Sequence, residues 1–427
     1  MHGIDSTLVQ LVANHLDSKG INAVRHQNIV FHAVLKPIPW ATFDRLVDQY
    51  GAERDDRTIK CRAHLIAMLW AQFCGARGLR EIEANLKSHA SKLYHLGGCT
   101  ISKATLSTAN RSREMADVFG GLLSTLMQQL QAGYRRKVKE CVRLIDSTSV
   151  RLSALSCDWA TFSAEFCGAK AHIVYDPDAD QPLYLMVTPA NVNDITAAKE
   201  MPIEAGATYV FDLGYYDYGW WAQLDRASCR IVTRLKSNTP FAVVEERAVP
   251  AGSSILSDRT GYLPKRLAAS RRNPMSKLVR EIEVTIETGK VLRILTNDLD
   301  ASAQEIADLY KRRWAIELFF RWVKQTLKIG HFVGTSETAV RIQITVALIA
   351  FLLLRLAHEA NKITNSSLAF ARLIKTNLMQ RRTLGELLRP PPKPPTHQAR
   401  FNFGHAATRA AQNRKKIRAD RLLASPA

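Results

Sequence analysis

The sequence has no Cys-x-x-Cys pair. Its seven cysteines, at 61, 74, 99, 141, 157, 167 and 229, are scattered and odd in number. That pattern argues against a zinc site and a disulfide framework, and it fits a reducing cytoplasm. Membrane-spanning apolar runs are also missing. The longest, Ile344 to Leu354, has 11 residues before Arg355, whereas a span takes about 20. It reads as a buried helix, and no membrane is expected as a partner. Met1 to Ser6 carries no apolar stretch of the signal-peptide kind. Acidic residues are scarce, 39 Asp+Glu against 59 Lys+Arg, which leaves a formal net charge of +20. An excess of that size points to a polyanion, nucleic acid before membrane. What the chain does have is length: 427 residues, 46% hydrophobic, suffice for two or three domains, each with its own core.

Residues 1–137 read as a helical N-terminal domain. Apolar residues recur at helical spacing in Phe43-Leu46-Val47 and from His64 to Trp70, and two further helical patterns, Leu79 to Leu86 and Lys103 to Arg111, flank Gly97-Gly98. The last of these, small and polar with Arg111 and Arg113, suits a DNA groove or a plain helical bundle. From 138 the pattern changes to short apolar strands. Val142 to Ile145 runs into Asp146, Ala171 to Tyr175 into Asp176-Pro177, and Tyr209 to Phe211 into Asp212. Leu183 to Val187 and Arg230 to Leu235 are further strands, with helical stretches from Asp194 and around Tyr218 to Leu224. Three strands in succession, then strands separated by helices, predict an α/β fold with a mixed sheet flanked by helices, over 138–237 and 298–389. Residues 238–297 read as a β-rich insertion with a basic loop, Arg271-Arg272-Asn273-Pro274. Residues 390–427 form a Pro-rich linker and a basic tail suited to non-specific attraction to phosphate.

Tyr310 to Lys324 contains no Pro or Gly and follows an acidic stretch, Glu305 to Asp308, that suits a helix N-terminus. On one continuous helix at about 100° per residue, Tyr310, Arg313, Glu317 and Lys324 share an arc of roughly 60°. Most of the remaining circumference is apolar (Trp314, Leu318, Phe319, Phe320, Trp322, Val323). Such a helix is largely buried, and its polar line needs a partner because an unpaired carboxylate in apolar packing is costly. Asp146 and Asp212, each at the end of an apolar strand, are the candidates. Taken singly, either fits a turn, and Asp212 also fits a helix cap. Together with Glu317 they could hold hard divalent cations through oxygen. Two such ions about 3.5–4 Å apart activate the attacking oxygen and stabilise the leaving one in phosphoryl transfer. Arg313, with its planar fork, and Lys324, as a point charge, suit flanking phosphates. Among the other polar residues, Asp194 reads as a helix N-cap. His172 and Tyr175 read as sheet supports, Trp220-Trp221 as core, and Asp176 to Asp180 as a hairpin turn.

Asp, Asp and Glu on strand, strand and helix, with Tyr-x2-Arg-x3-Glu-x6-Lys around the Glu, resemble the DDE transposases of bacterial insertion sequences. The four-residue signature is similar to that of the branch called insertion sequence family four. Leu144-Ile145-Asp146-Ser147-Thr148, Lys170-x-His172, Asn193-Asp194, Asp212-x-Gly214-Tyr215 and Thr233 to Asn238 add to a likeness covering roughly residues 28 to 380. The resemblance implies a ribonuclease H-like core with the β-rich insertion before the Glu-bearing helix. It implies Asp146, Asp212 and Glu317 as catalytic metal ligands for two Mg2+ ions, with Mn2+ able to substitute, and Tyr310, Arg313 and Lys324 as DNA contacts. The implied activity is cleavage at the inverted-repeat ends of the element and transfer of the freed 3′ hydroxyl into target DNA. The implied partners are double-stranded DNA and a second copy in a synaptic homodimer, in the bacterial cytoplasm at the nucleoid. Hairpin-forming relatives place an aromatic in the insertion to stack a flipped base, but here no Trp lies between 222 and 313 and Tyr262 is the only Tyr in the insertion. Two other functions fit the same core: a catalytically silent DNA-binding protein derived from a transposase, and a structure-selective nuclease. Retention of all three carboxylates argues against the first.

Overall fold

The computed structural model describes residues 29–54, 59–134, 141–163, 166–266, 272–326 and 332–388. The expected linker and basic tail at 390–427 lie outside the described residues. The first part is helical: α1 (Val30–Leu35), α2 (Trp40–Tyr50), α3 (Cys61–Cys74), α4 (Leu79–Ser88), α5 (Lys103–Ala109) and α6 (Arg113–Tyr134). Local chemistry sets the ends of these helices. α2 stops at Gly51, whose φ of 63° is open to glycine. The Ser102 hydroxyl accepts the Thr105 N–H at 3.1 Å to start α5. α3 is apolar on nearly every side and correspondingly central, burying Leu65, Ile66, Leu69 and Trp70.

His64 of α3 sits fully buried in this helical unit. Its Nε2 lies 2.8 Å from Asn110 Oδ1, and its Nδ1 3.1 Å from the Met115 sulfur. Burial holds its pKa down at about 4, against an ordinary 6.5. Below pH 6.5 the unfolded chain therefore binds a proton that the folded chain refuses. Stability present above 6.5 is lost as pH falls through about 4. The loss is on the order of 3 kcal/mol, since each tenfold difference in proton affinity is worth about 1.4 kcal/mol. Urea unfolding at pH 7 and pH 4.5 should show a steeper loss for the wild type than for His64→Gln. Parallel pH profiles would refute this account of His64, and subtracting the two removes the similar contribution of His172.

The sheet follows, with β1 (Val142–Arg151), β2 (Thr161–Ser163), β3 (Phe166–Asp176), β4 (Gln181–Pro189), β5 (Thr208–Val210), β6 (Arg230–Arg234), β7 (Ala242–Glu246), β8 (Ile255–Tyr262), β9 (Val279–Thr285) and β10 (Val291–Thr296). Across the sheet the order is β4-β3-β1-β5-β6-β10-β9-β8-β7, with β2 on the outer end of β3. The β4–β3 and β3–β1 pairs are antiparallel, β1–β5 and β5–β6 are parallel, and the remainder are antiparallel. The four strands of the 238–297 segment therefore continue the same sheet, because β10 pairs with β6. Helices α7 (Asp194–Glu200) and α8 (Tyr218–Arg226) connect the central strands. Trp220 and Trp221 of α8 are buried in the core, as expected. After β10 come α9 (Ala303–Lys311), α10 (Trp314–Thr326), α11 (Glu337–Ala360) and α12 (Ser367–Asn377). α11 is long and apolar enough to cross a membrane, but 83% of its apolar window is buried inside the fold.

Four expectations need correction. Asp146 is not at a strand end: β1 runs on through Ser147-Thr148-Ser149, which stay paired with His172, Ala171 and Lys170 of β3. Cross-strand pairing holds this polar run extended, although its composition suggested a turn. The helix read as continuous from Tyr310 breaks between α9 and α10. There the Arg313 N–H turns to Tyr310 O and the Ala315 N–H to Arg312 O, a tighter i→i+3 pattern. The two arginines at the break pull in different directions: Arg312 reaches Asp178 at 2.5 Å in the β3–β4 turn, while Arg313 turns inward. α10 is not buried on all its apolar sides either. Ile316, Phe319, Phe320 and Val323 face the core, whereas Trp314 and Leu318 are each 55% exposed, because the sheet and α11 cover only one flank. Finally, Cys157 and Cys167 form a disulfide, Cα–Cα 5.4 Å, where a short helical turn folds back on β3.

Candidate active site

The parallel β1–β5 ladder ends with Leu144 opposite Val210. Asp146 and Asp212 lie two residues further on, so both side chains project from the same face of neighbouring strands. There β5 gives way to a 3-10 turn, Leu213–Tyr215, while β1 continues. The parallel pairing ends here, on the carboxyl side of the strands, which is where open α/β sheets bind ligands. Each aspartate is fixed by a local bond: Asp146 Oδ1 accepts the Ser147 N–H and Asp212 Oδ1 the Gly214 N–H, both at 2.8 Å. Asp212 thus does cap a turn, one of the readings left open.

Arg313 brings α10 to this edge. Its Nη1 is 3.6 Å from Asp146 Oδ2 and its Nη2 is 2.7 Å from Glu317 Oε1. The break between α9 and α10 gives the guanidinium this inward path. Tyr310, 7% exposed, packs beside it with its ring centroid 5.9 Å from the guanidinium carbon. Lys324 is exposed and has no ion-pair partner among the described residues; partial desolvation lowers its pKa. Burial, joined by the charges of Asp212 and Glu317, pushes Asp146 up to about 7, while the Ser147 N–H and Arg313 pull the other way. Asp212 and Glu317 are therefore near enough to disfavour the charge on Asp146. Among the described residues no three His, Cys, Asp or Glu side chains form a closed metal-binding group; Arg313 stands among the carboxylates instead.

A second layer was misread from sequence. The N-cap of α7 is Asn193, and no side-chain bond caps the helix. The Asp194 carboxylate instead accepts the Ser147 hydroxyl at 2.8 Å and Lys170 Nζ at 3.1 Å. It also lies 3.7 Å from His172 Nδ1, a buried atom with no hydrogen-bond partner. A Cβ at Gly214 would stand 3.0 Å from Asp212 Oδ1 and 3.1 Å from Asp194 Oδ2, so glycine leaves room for two carboxylates there. The available signal was the i, i+2 spacing of Lys170 and His172. It puts both on one face of β3, the face shared with Ser147, which pairs with His172.

Residues 137–353 match the family model described as the transposase DDE domain. The chain belongs to the DDE transposase family. Residues 26–99 of this transposase match a second model, a domain of unknown function. The protein y4zB of Sinorhizobium fredii, named as a transposase, is 42% identical over 297 residues, covering 69% of this chain and 82% of that one. A Geobacillus stearothermophilus protein named as the transposase of insertion sequence element IS5377 is 30% identical over 264 residues, covering 61% and 68%. The solved piggyBac transposase synaptic complex with hairpin DNA aligns at a TM-score of 0.45 and 9% identity over 88% of this chain and 84% of that one, too distant to carry a structural argument. This is a transposase of the insertion-sequence type, and its DDE domain implies a DNA-cleaving and DNA-transferring enzyme.

Proposed function

We propose that this transposase binds the inverted-repeat ends of its own element as a synaptic homodimer, cuts them, and joins the freed 3′ hydroxyl to target DNA. Asp146, Asp212 and Glu317 are its catalytic carboxylates. One observation carries the reading: two aspartates that each follow the last pair of the parallel β1–β5 ladder by two residues, with a helix carboxylate linked to the first of them through Arg313. The strand order β4-β3-β1-β5-β6, three antiparallel strands followed by two parallel ones, supports a ribonuclease H-like core. The spacing of Tyr310, Arg313, Glu317 and Lys324 supports the family-four branch.

The donor set fits hard divalent cations, since it offers carboxylate oxygen only. Burial, joined by the charges of Asp212 and Glu317, raises Asp146, and a bound cation would offset both. Two Mg2+ ions, replaceable by Mn2+, would supply Lewis-acid activation of the attacking and leaving oxygens. The chain's own residues do the positioning. Ser147 and Gly214 N–H groups orient the aspartates, and Arg313 turns from carboxylates to a phosphate as DNA arrives, with Tyr310 behind it. Lys324 takes a phosphate about two helical turns from Glu317. Lys170 neutralises Asp194, so the second layer adds no net negative charge toward the DNA backbone.

The test is incubation of a supercoiled plasmid carrying candidate element ends with the full chain, with and without Mg2+. Metal-dependent cleavage with joined products is expected. Binding without cleavage would make the chain a catalytically silent DNA-binding protein, and cleavage without joining would make it a structure-selective nuclease.

A further inference from the structure

Between Asp258 and Glu281 the chain has no acidic residue but seven basic ones: Arg259, Lys265, Arg266, Arg271, Arg272, Lys277 and Arg280. Some have internal partners. Arg259 pairs with Glu281 and Glu283, Lys277 with Asp225, and Arg280 with Asp258; Arg271 lies outside the described residues. Lys265, Arg266 and Arg272 are exposed, and no side-chain partner faces them among the described residues. With Tyr262, 42% exposed, they line a cleft of about 590 Å³ at the base of the β8–β9 connection. Arg266 and Arg272 stand opposite each other in an antiparallel bridge. Like charges directly opposite destabilise a strand pair unless something anionic lies across them.

The base of this connection is firmly built. Asn273, 2% exposed, donates its side-chain amide to Pro264 O at 2.9 Å and its backbone N–H to Lys265 O at 3.0 Å, and accepts the Met275 N–H at 2.9 Å. Leu263 and Met275 are buried in the hydrophobic cluster that contains Phe211 and Tyr215, the residues on either side of the Asp212 turn. The three cations are thus carried on the same packed core as Asp212. That arrangement suits a ligand which must be held in register with the carboxylates.

We propose that this cleft is a second contact for the backbone of duplex DNA, separate from the carboxylate site, with Lys265, Arg266 and Arg272 engaging phosphates. The assignment rests on the reading of the chain as a DNA-binding transposase. Phosphate contacts position a protein on a duplex without reading its sequence, and they leave a signature in salt dependence. Each one lost makes the slope of log K against log salt shallower by about 0.9. The triple variant Lys265→Gln/Arg266→Gln/Arg272→Gln of the full chain should therefore lose about 2–3 from that slope, equally on an element-end duplex and on a scrambled one. Fluorescence anisotropy over a salt series reads this directly, with the unfolding midpoint of the variant as a fold check. An unchanged slope in a variant that unfolds like the wild type overturns the inference. Weaker binding confined to the element-end duplex also overturns it, because that would be base recognition. Failure of the wild type to bind either duplex would instead overturn the DNA reading beneath it.

Discussion

Replacing Glu317 by Gln is expected to lower Mg2+-dependent strand cleavage by on the order of a thousandfold, while affinity for element-end DNA stays close to that of the wild type. Gln has the shape of Glu and keeps an oxygen that can accept the 2.7 Å bond from Arg313 Nη2. The position of the guanidinium, and with it the proposed phosphate contact, should therefore survive. What disappears is one of the two negative charges that help burial to raise Asp146, and with it a hard oxygen donor for a divalent ion. The expected pattern is thus a loss in the chemical step at nearly constant binding, together with a fall in the pKa of Asp146. Single-turnover cleavage of an end duplex, run beside a gel shift, separates the two effects. Cleavage at the wild-type rate would remove Glu317 from the chemistry. Loss of binding in step with cleavage would make it a residue that only holds Arg313 in place.

How much of this site could be read in advance depends on which forces set each part. The apolar runs that end on Asp146 and Asp212 announce buried strands, and β-branched residues such as Val142, Ile145 and Val210 suit the pleat. The relation between the two aspartates was also legible in part, since each ends an apolar run. Their actual register comes from the parallel pairing of β1 with β5, which no local pattern encodes. The continuation of β1 through Ser147-Thr148-Ser149 was hidden for the same reason: β3 supplies partners for residues whose own preferences favour a turn.

The break at Arg312-Arg313 is a sharper case. No glycine or proline marks it, and periodicity alone favours one long helix. Three ion pairs accompany the break instead, Arg312 to Asp178 and Arg313 to both Asp146 and Glu317. Without the break the four signature residues would lie along one line. With it, Tyr310 lies behind Arg313 while Glu317 and Lys324 ride on the second helix. Asp194 was misassigned by the reverse error. A local capping rule was applied to a residue whose partners, Ser147 and Lys170, come from two other strands.

A second large effect is expected at Arg280, where the strands after β6 are tied to the helices that carry Glu317. Its guanidinium grips Asp258 through two bonds, 2.7 and 2.6 Å, with side-chain exposures of only 3% and 6%. Asp258 faces Ile282 across β8 and β9, so Arg280 is its diagonal neighbour on one sheet face. A third bond runs from Arg280 to the carbonyl of Ala301. The next residue, Ser302, caps α9 by accepting the Glu305 N–H at 3.1 Å. Arg280→Met would leave a buried carboxylate with no counter-charge, at a cost of about 3–5 kcal/mol. Pairing it with Asp258→Leu removes both charges and should recover most of that loss, since an apolar pair of similar volume is often as stable as a buried ion pair. Urea unfolding of the two single variants and the double variant measures the coupling. A single-variant loss below about 1 kcal/mol would mean that the pair does not hold the sheet. Failure of the double variant to recover would shift the weight to the Ala301 bond. In that outcome the start of α9, and with it the placement of Arg313 and Glu317, depends on Arg280 directly, and cleavage should fall in the double variant even at temperatures where it stays folded.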